Sequence, residues 1–309
     1  MSRQAVTARV PAKVNLQLSV GALRPDGYHD LVTVFQAVGL YDDVVARPGE
    51  GVTVTAEGEG IDSVPLDATN LAARAAVLLA EEAGVAAEVA LHLRKGIPVA
   101  GGMAGGSADA AGALLACDAL WELRSERSDL LALATRLGAD VPFTLMGGTA
   151  VGVGRGDRLT PALARGGFHW VFALADGGLS TPAVFGELDR LRADTVLPEP
   201  RVSDALMQAL RAGDAVALGR ALSNDLQRAA VSLRPRLEMT LELGAECGAL
   251  GAVVSGSGPT CAFLARDEEH SLDLAVALTA GGVCRTVKRA QGPVHGARVV
   301  TGDGSGDRA

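Results

Sequence analysis

The run Pro98-Val99-Ala100-Gly101-Gly102-Met103-Ala104-Gly105-Gly106-Ser107-Ala108-Asp109 limits what this chain can fold into more than any other feature. Four glycines and three alanines fall within these twelve residues, and an Ala-rich helical pattern, Ala110 to Ala116, follows without a break. Glycine lets a backbone turn tightly and pass close to a ligand. The first turn of a helix leaves amide N–H groups unpaired at the positive end of its dipole. Together they form a candidate cradle for a phosphate chain, with Pro98 through Ser107 as its backbone. A Gly/Ala loop entering a buried helix is the competing structural reading. Ser107 fits a plain N-cap, and its hydroxyl equally fits a phosphate oxygen or a magnesium ion. The spacing is not that of a Walker A loop, since no Gly-Lys-Ser/Thr closes it, nor that of a Gly-x-Gly-x-x-Gly turn in a first βα unit.

The 309 residues suffice for two domains, and 48% hydrophobic residues provide for a substantial core. Aromatics are only 3%, so that core is expected to be built from Ala, Val and Leu. The formal net charge is -8 and no long basic block occurs, which argues against nucleic acid as a partner. Cys117, Cys247, Cys261 and Cys284 are scattered, with no zinc-like spacing among them or with the histidines. No apolar secretion segment follows Met1, and apolar stretches are broken well short of a membrane span. A cytoplasmic protein is expected, with no membrane association and no obligate protein partner evident.

Val6 to Val20 alternates like a strand interrupted by Pro11, and Leu31 to Leu40, Val44-Val45 and Val52 to Thr55 read as further strands. Asn70 caps an expected helix over Leu71 to Ala83 that Gly84 ends, and Val89 to Leu93 is a strand leading into the glycine loop. Helices are expected to Leu120, over Arg127 to Leu137, and near 202–212, 214–219, 233–246 and 268–278. Strands are expected at Val151 to Arg158, His169 to Ala175, Ala252 to Val254, Cys261 to Leu264 and Val283 to Val287. The break near Arg165-Gly166-Gly167 divides the chain into a first domain, 1–163, and a second, 164–300; the Gly-rich tail, 301–309, reads as disordered.

Several polar residues stand out from their surroundings. Lys13 and Asn15 share one face of a strand whose other positions, Ala12, Val14 and Leu16, are apolar. Solvent exposure is the simple account of Lys13. Asp140 is the single carboxylate in Gly138-Ala139-Asp140-Val141-Pro142-Phe143, and a turn or cap is its simple account. Tyr28 and His29 follow the turn Pro25-Asp26-Gly27 and offer a planar base a stacking and hydrogen-bonding surface; an anchored turn is the rival. Gly256 and Ser257 lie in Ser255-Gly256-Ser257-Gly258-Pro259-Thr260, which is either a second backbone cradle or a tight strand connection. Phe185 is the one aromatic in Leu179 to Phe185, a stretch with the cap-like helix start Ser180-Thr181-Pro182.

Taken in order, Pro11-Ala12-Lys13-Val14-Asn15-Leu16, the Pro98–Asp109 loop and the late Gly256-Ser257-Gly258 loop resemble the three motifs of the GHMP kinase superfamily. Arg24-Pro25-Asp26-Gly27-Tyr28-His29 and Leu137 to Phe143 resemble the branch that phosphorylates a cytidine diphosphate-linked methylerythritol, and the likeness runs from about Ala8 to Lys288. The resemblance implies an α+β, two-domain fold with the active site in the interdomain cleft. It implies ATP as co-substrate, Mg2+ with it, a small-molecule cytidine diphosphate substrate, and phosphoryl transfer to that substrate's 2-hydroxyl in isoprenoid precursor biosynthesis. By the same resemblance, Pro98 to Ser107 hold the ATP phosphates. Lys13 and Asp140 are catalytic, Asp140 as general base. Asn15, Tyr28, His29, Phe185, Gly256 and Ser257 line the substrate side. Ala108 stands where relatives often carry a second Ser, which leaves Ser107 as the loop's one hydroxyl for a metal. The alternatives are another kinase of the superfamily, of mevalonate or homoserine type, and a noncatalytic nucleotide-binding protein on the same scaffold.

Overall fold

The computed structural model describes residues 5–193, 195 and 197–300; the expected disordered tail lies outside them. Two long strands, β1 (Val6–Leu23) and β2 (His29–Arg47), form an antiparallel hairpin that organises the first half. Pro11 does not interrupt β1 as the sequence suggests. It sits at a register shift between Pro11 and Ala12, beyond the reach of the strand on its other side, so its missing N–H costs no ladder bond there. β3 (Val52–Gly58) and β4 (Val89–Lys95) pair parallel through the crossover helix α1 (Leu71–Ala83), and β4 pairs antiparallel with β2. Asn70 Oδ1 accepts from the Ala72 amide at 2.8 Å and Gly84 closes α1 in the left-handed conformation.

The glycine loop delivers the chain into α2 (Gly105–Trp121), followed by α3 (Arg127–Leu137) and α4 (Val141–Met146). α2 is buried almost all round by small residues. A Cβ at Gly112 would lie 2.5 Å from Val44 Cγ2, so the helix rests on the sheet at a distance that only glycine permits. β5 (Thr149–Gly154) pairs with β2 and with β6 (Arg158–Pro161).

A second, four-stranded antiparallel sheet begins at β7 (Phe168–Leu174). The chain continues through α5 (Thr181–Arg192), α6 (Asp204–Ala212), α7 (Ala215–Ala221), the two-residue β8 (Ser223–Asn224), α8 (Gln227–Leu233) and α9 (Arg236–Glu246). Then come β9 (Gly251–Val254), β10 (Cys261–Ala265), α10 (Glu268–Ala280), β11 (Thr286–Gly292) and β12 (Arg298–Val300). The second sheet has the order β11-β7-β10-β9. β12 leaves it and pairs with β1, Thr7 opposite Val300, so both ends of the described chain lie in the first sheet. The two sheets are tied in the interior by Trp170, whose Nε1 donates to Gln36 Oε1 at 3.0 Å. Among the described residues no helix is long and apolar enough to cross a membrane.

Candidate active site

A cavity of about 780 Å³ opens between the two halves, within the size range of small-molecule sites. Its floor is the start of α2. Ala104, the residue before the helix, is left-handed (φ 63°) and has no side chain to cap it, so the amides of the first turn face the cavity uncapped. Ala100 through Ser107 line the wall; Pro98 and Val99 do not, and Val99 packs beside Gly60 instead. Among the described residues no cluster of three His, Cys, Asp or Glu side chains could hold a metal ion; Ser107 is the hydroxyl carried by the loop's own residues on the cavity wall.

The late loop seats on the central one. Ser255 Oγ donates to the Gly102 carbonyl at 3.1 Å. At Gly102 (φ +74°) a Cβ would stand 2.2 Å from the Ser255 carbonyl oxygen, so the approach requires glycine. Asn224 Nδ2 donates to the carbonyls of Val254 and Gly256, both at 2.7 Å, and holds that loop in shape. Ser257 Oγ is 2.9 Å from Thr181 Oγ1, which places a hydroxyl pair on the cavity wall.

β1 carries Lys13 into the centre. Its side chain is only 5% exposed, and Nζ donates to Asn15 Oδ1 at 2.7 Å and lies 3.8 Å from Asp140 Oδ2. Asn15 Nδ2 in turn donates to Thr33 Oγ1 at 2.9 Å, which fixes the amide's orientation. Burial pulls the Lys13 ammonium below its ordinary value of 10.5, while the Asp140 charge works in the opposite direction. Asp140 precedes α4 but its side chain makes no cap bond, so the carboxylate faces Lys13 and the cavity. Neither simple account, an exposed lysine or a capping aspartate, describes these two residues.

The far end of the cavity is aromatic. The His29 ring lies 5.2 Å from that of Phe185, and His29 Nε2 is 2.8 Å from Asp189 Oδ1. Tyr28 is half exposed beside them, with the Arg155 guanidinium 5.1 Å from its ring centre. Every substrate-side residue expected from the sequence, Asn15, Tyr28, His29, Phe185, Gly256 and Ser257, lines this one cavity. Sequence reasoning missed Thr33, Arg155, Asp189 and Asn224, each of which gains its place through a partner remote in the chain and sits in no pattern that marks it; Thr181 shows in the sequence only as part of a helix start.

Known proteins match this chain over nearly its whole length. The model of the GHMP kinases N-terminal domain matches residues 70–148 and that of the GHMP kinases C-terminal domain matches 206–284. The chain belongs to the GHMP kinase family. A protein of Streptomyces avermitilis named 4-diphosphocytidyl-2-C-methyl-D-erythritol kinase is 60% identical over 295 residues, which cover 96% of this chain and 99% of that protein. A crystal structure of 4-(cytidine 5'-diphospho)-2C-methyl-D-erythritol kinase superposes with a TM-score of 0.75 at 35% identity, over 92% of this chain and 98% of that one. A homoserine kinase from Cytophaga hutchinsonii shares the fold, with a TM-score of 0.73 at 19% identity over 97% and 99% of the two chains.

Proposed function

We infer that this protein is an ATP-dependent kinase that phosphorylates the 2-hydroxyl of 4-(cytidine 5'-diphospho)-2-C-methyl-D-erythritol, giving ADP and the 2-phosphate, a step in isoprenoid precursor biosynthesis. The observation that carries this reading is one cavity with a phosphate cradle at one end, a base-sized aromatic end at the other, and Lys13 beside Asp140 between them.

In this reading Asp140 accepts the proton of the substrate hydroxyl as its oxygen attacks the γ-phosphorus and the bond to the ADP oxygen breaks. Lys13, 3.8 Å from Asp140 Oδ2, offsets charge on the attacking oxygen. The open amides of α2 and the glycine backbone hold the phosphates in line, and positioning of this kind supplies much of the rate in phosphoryl transfer. Magnesium takes oxygen ligands and retains several waters, so the Ser107 hydroxyl together with phosphate oxygens is a fitting donor set, and the ion would neutralise phosphate charge there. Tyr28 and Phe185 flank the cytosine. Asp189 occupies His29 Nε2, so base contact falls to the other ring nitrogen or the backbone. The four cysteines are free thiols, in keeping with a reducing, cytoplasmic setting.

The test is a panel of alcohols with ATP, followed by detection of the phosphorylated product. Turnover of the cytidine-linked alcohol, with mevalonate and homoserine inert, supports the reading. Turnover of either of those instead would replace it, and nucleotide binding without any turnover would favour a noncatalytic role. Tyr28→Ala should raise KM for the cytidine substrate about tenfold, the loss expected for one stacked base, with KM for ATP unchanged. An unaltered cytidine-substrate KM would remove Tyr28 from the base site.

A further inference from the structure

We propose that a buried cluster outside the cavity, Asp42, Lys95 and Asp109, is the positioning device of the phosphate loop, clamping both stems so that the first turn of α2 stays open to the ATP phosphates. The proposal rests on the kinase reading above. The loop runs from Ile97 to Ala104, and each stem is tied to the same three charges. On the entering side, Asp42 Oδ1 accepts from the amides of Gly96 and Ile97, both at 2.8 Å. On the leaving side, Lys95 Nζ donates to the Gly105 carbonyl at 3.3 Å and to Asp109 Oδ2 at 2.5 Å, inside the first turns of α2. Lys95 also pairs with Asp42, closing the circuit between β4 and β2.

The three side chains are at most 4% exposed, and none of them lines the cavity. They are therefore positioning residues, acting on nucleotide only through the backbone they hold. The entering stem has little slack: a Cβ at Gly96 would stand 2.4 Å from the Tyr41 carbonyl oxygen.

Stability alone is a poor reason for such a cluster. A buried ion triad is often no more stable than apolar side chains of the same volume. Here the cost is visible: among the described residues the buried Asp109 Oδ1 finds no hydrogen-bond partner. What the charges supply is direction. Backbone amides stabilise a phosphate only when aimed beforehand, and the glycines of this loop bring no side chains with which to aim them.

Lys95→Met and Asp42→Asn in the full chain test this by calorimetric binding of the β,γ-imido analogue of ATP with magnesium, by the two substrate KM values, and by thermal melting. The expected result is a loss of analogue affinity and a rise in ATP KM of about 10- to 100-fold, the scale of a misplaced site, with the cytidine-substrate KM little changed. A purely structural role would lower the melting temperature and the active fraction and leave both constants alone. Folded variants with wild-type nucleotide affinity would overturn the proposal, as would variants that lose both affinities together. Should Lys95→Met fail to fold, Asp109→Asn keeps the shape and an oxygen toward Lys95 and carries the same comparison. Wild-type protein that binds the analogue but leaves the cytidine-linked alcohol unphosphorylated would sink the function while leaving the calorimetric comparison intact.

Discussion

Asp140→Asn is expected to lower kcat by about 10²- to 10⁴-fold, the usual contribution of a positioned proton acceptor. The substitution preserves shape, and Asp140 makes no cap bond that the fold requires, so folding and ATP affinity should be close to wild type. A second effect follows from the pairing. Asp140 raises the Lys13 pKa against the pull of burial, so its neutralisation lets Lys13 release its proton at a still lower pH. The residual activity should therefore fall off on the alkaline side earlier than in wild type. Steady-state kinetics across pH, with analogue binding as the control, check both effects. A wild-type kcat would remove Asp140 from the proton-accepting role and leave the cradle as the main source of rate.

The parts of the fold legible in the sequence are those written in local chemistry. α1 and α3 have the bounds expected, because Asn70, Gly84 and Gly138 mark ends within a residue or two of the turns they close. α4 begins within Gly138 to Phe143, where the sequence suggests only a turn or cap at Asp140; Pro142 sits in its first turn, where its fixed φ is favourable. β12 is three residues whose only reason to be a strand is β1, at the other end of the chain. The site divides in the same way. The glycine loop shows in one window because glycine freedom and helix start are local properties. The union of Lys13 with Asp140 showed only through resemblance, and Asp189, which fixes His29 from 160 residues away, did not show at all. Asp42 falls in the gap between the expected strands Leu31 to Leu40 and Val44-Val45, which the structure joins into one. Its two neighbours in charge come from β4 and α2, and no spacing rule joins them.

Lys13→Met is expected to cost about 10²- to 10³-fold in kcat, the scale of removing one donor aimed at developing charge in a dry site. The chain has invested in that charge. Burial disfavours the ammonium, and Asn15 and Asp140 are arrayed around it to keep it. The sign of the pH dependence follows. With its pKa below 10.5, folded Lys13 loses its proton at a pH where a lysine in the unfolded chain still holds one. Between those two values the unfolded chain binds more protons, so this residue's contribution to stability improves as pH rises. Activity that needs the ammonium falls over the same window. Two curves should thus part in the wild type, with kcat/KM declining on an alkaline limb placed below 10.5 while the Lys13 part of the unfolding free energy climbs. In Lys13→Met both features vanish together: the residual rate loses that limb, and the alkaline gain in stability relative to wild type disappears. A variant that kept the limb would assign it to another group and leave Lys13 only the role of orienting Asn15 and Asp140.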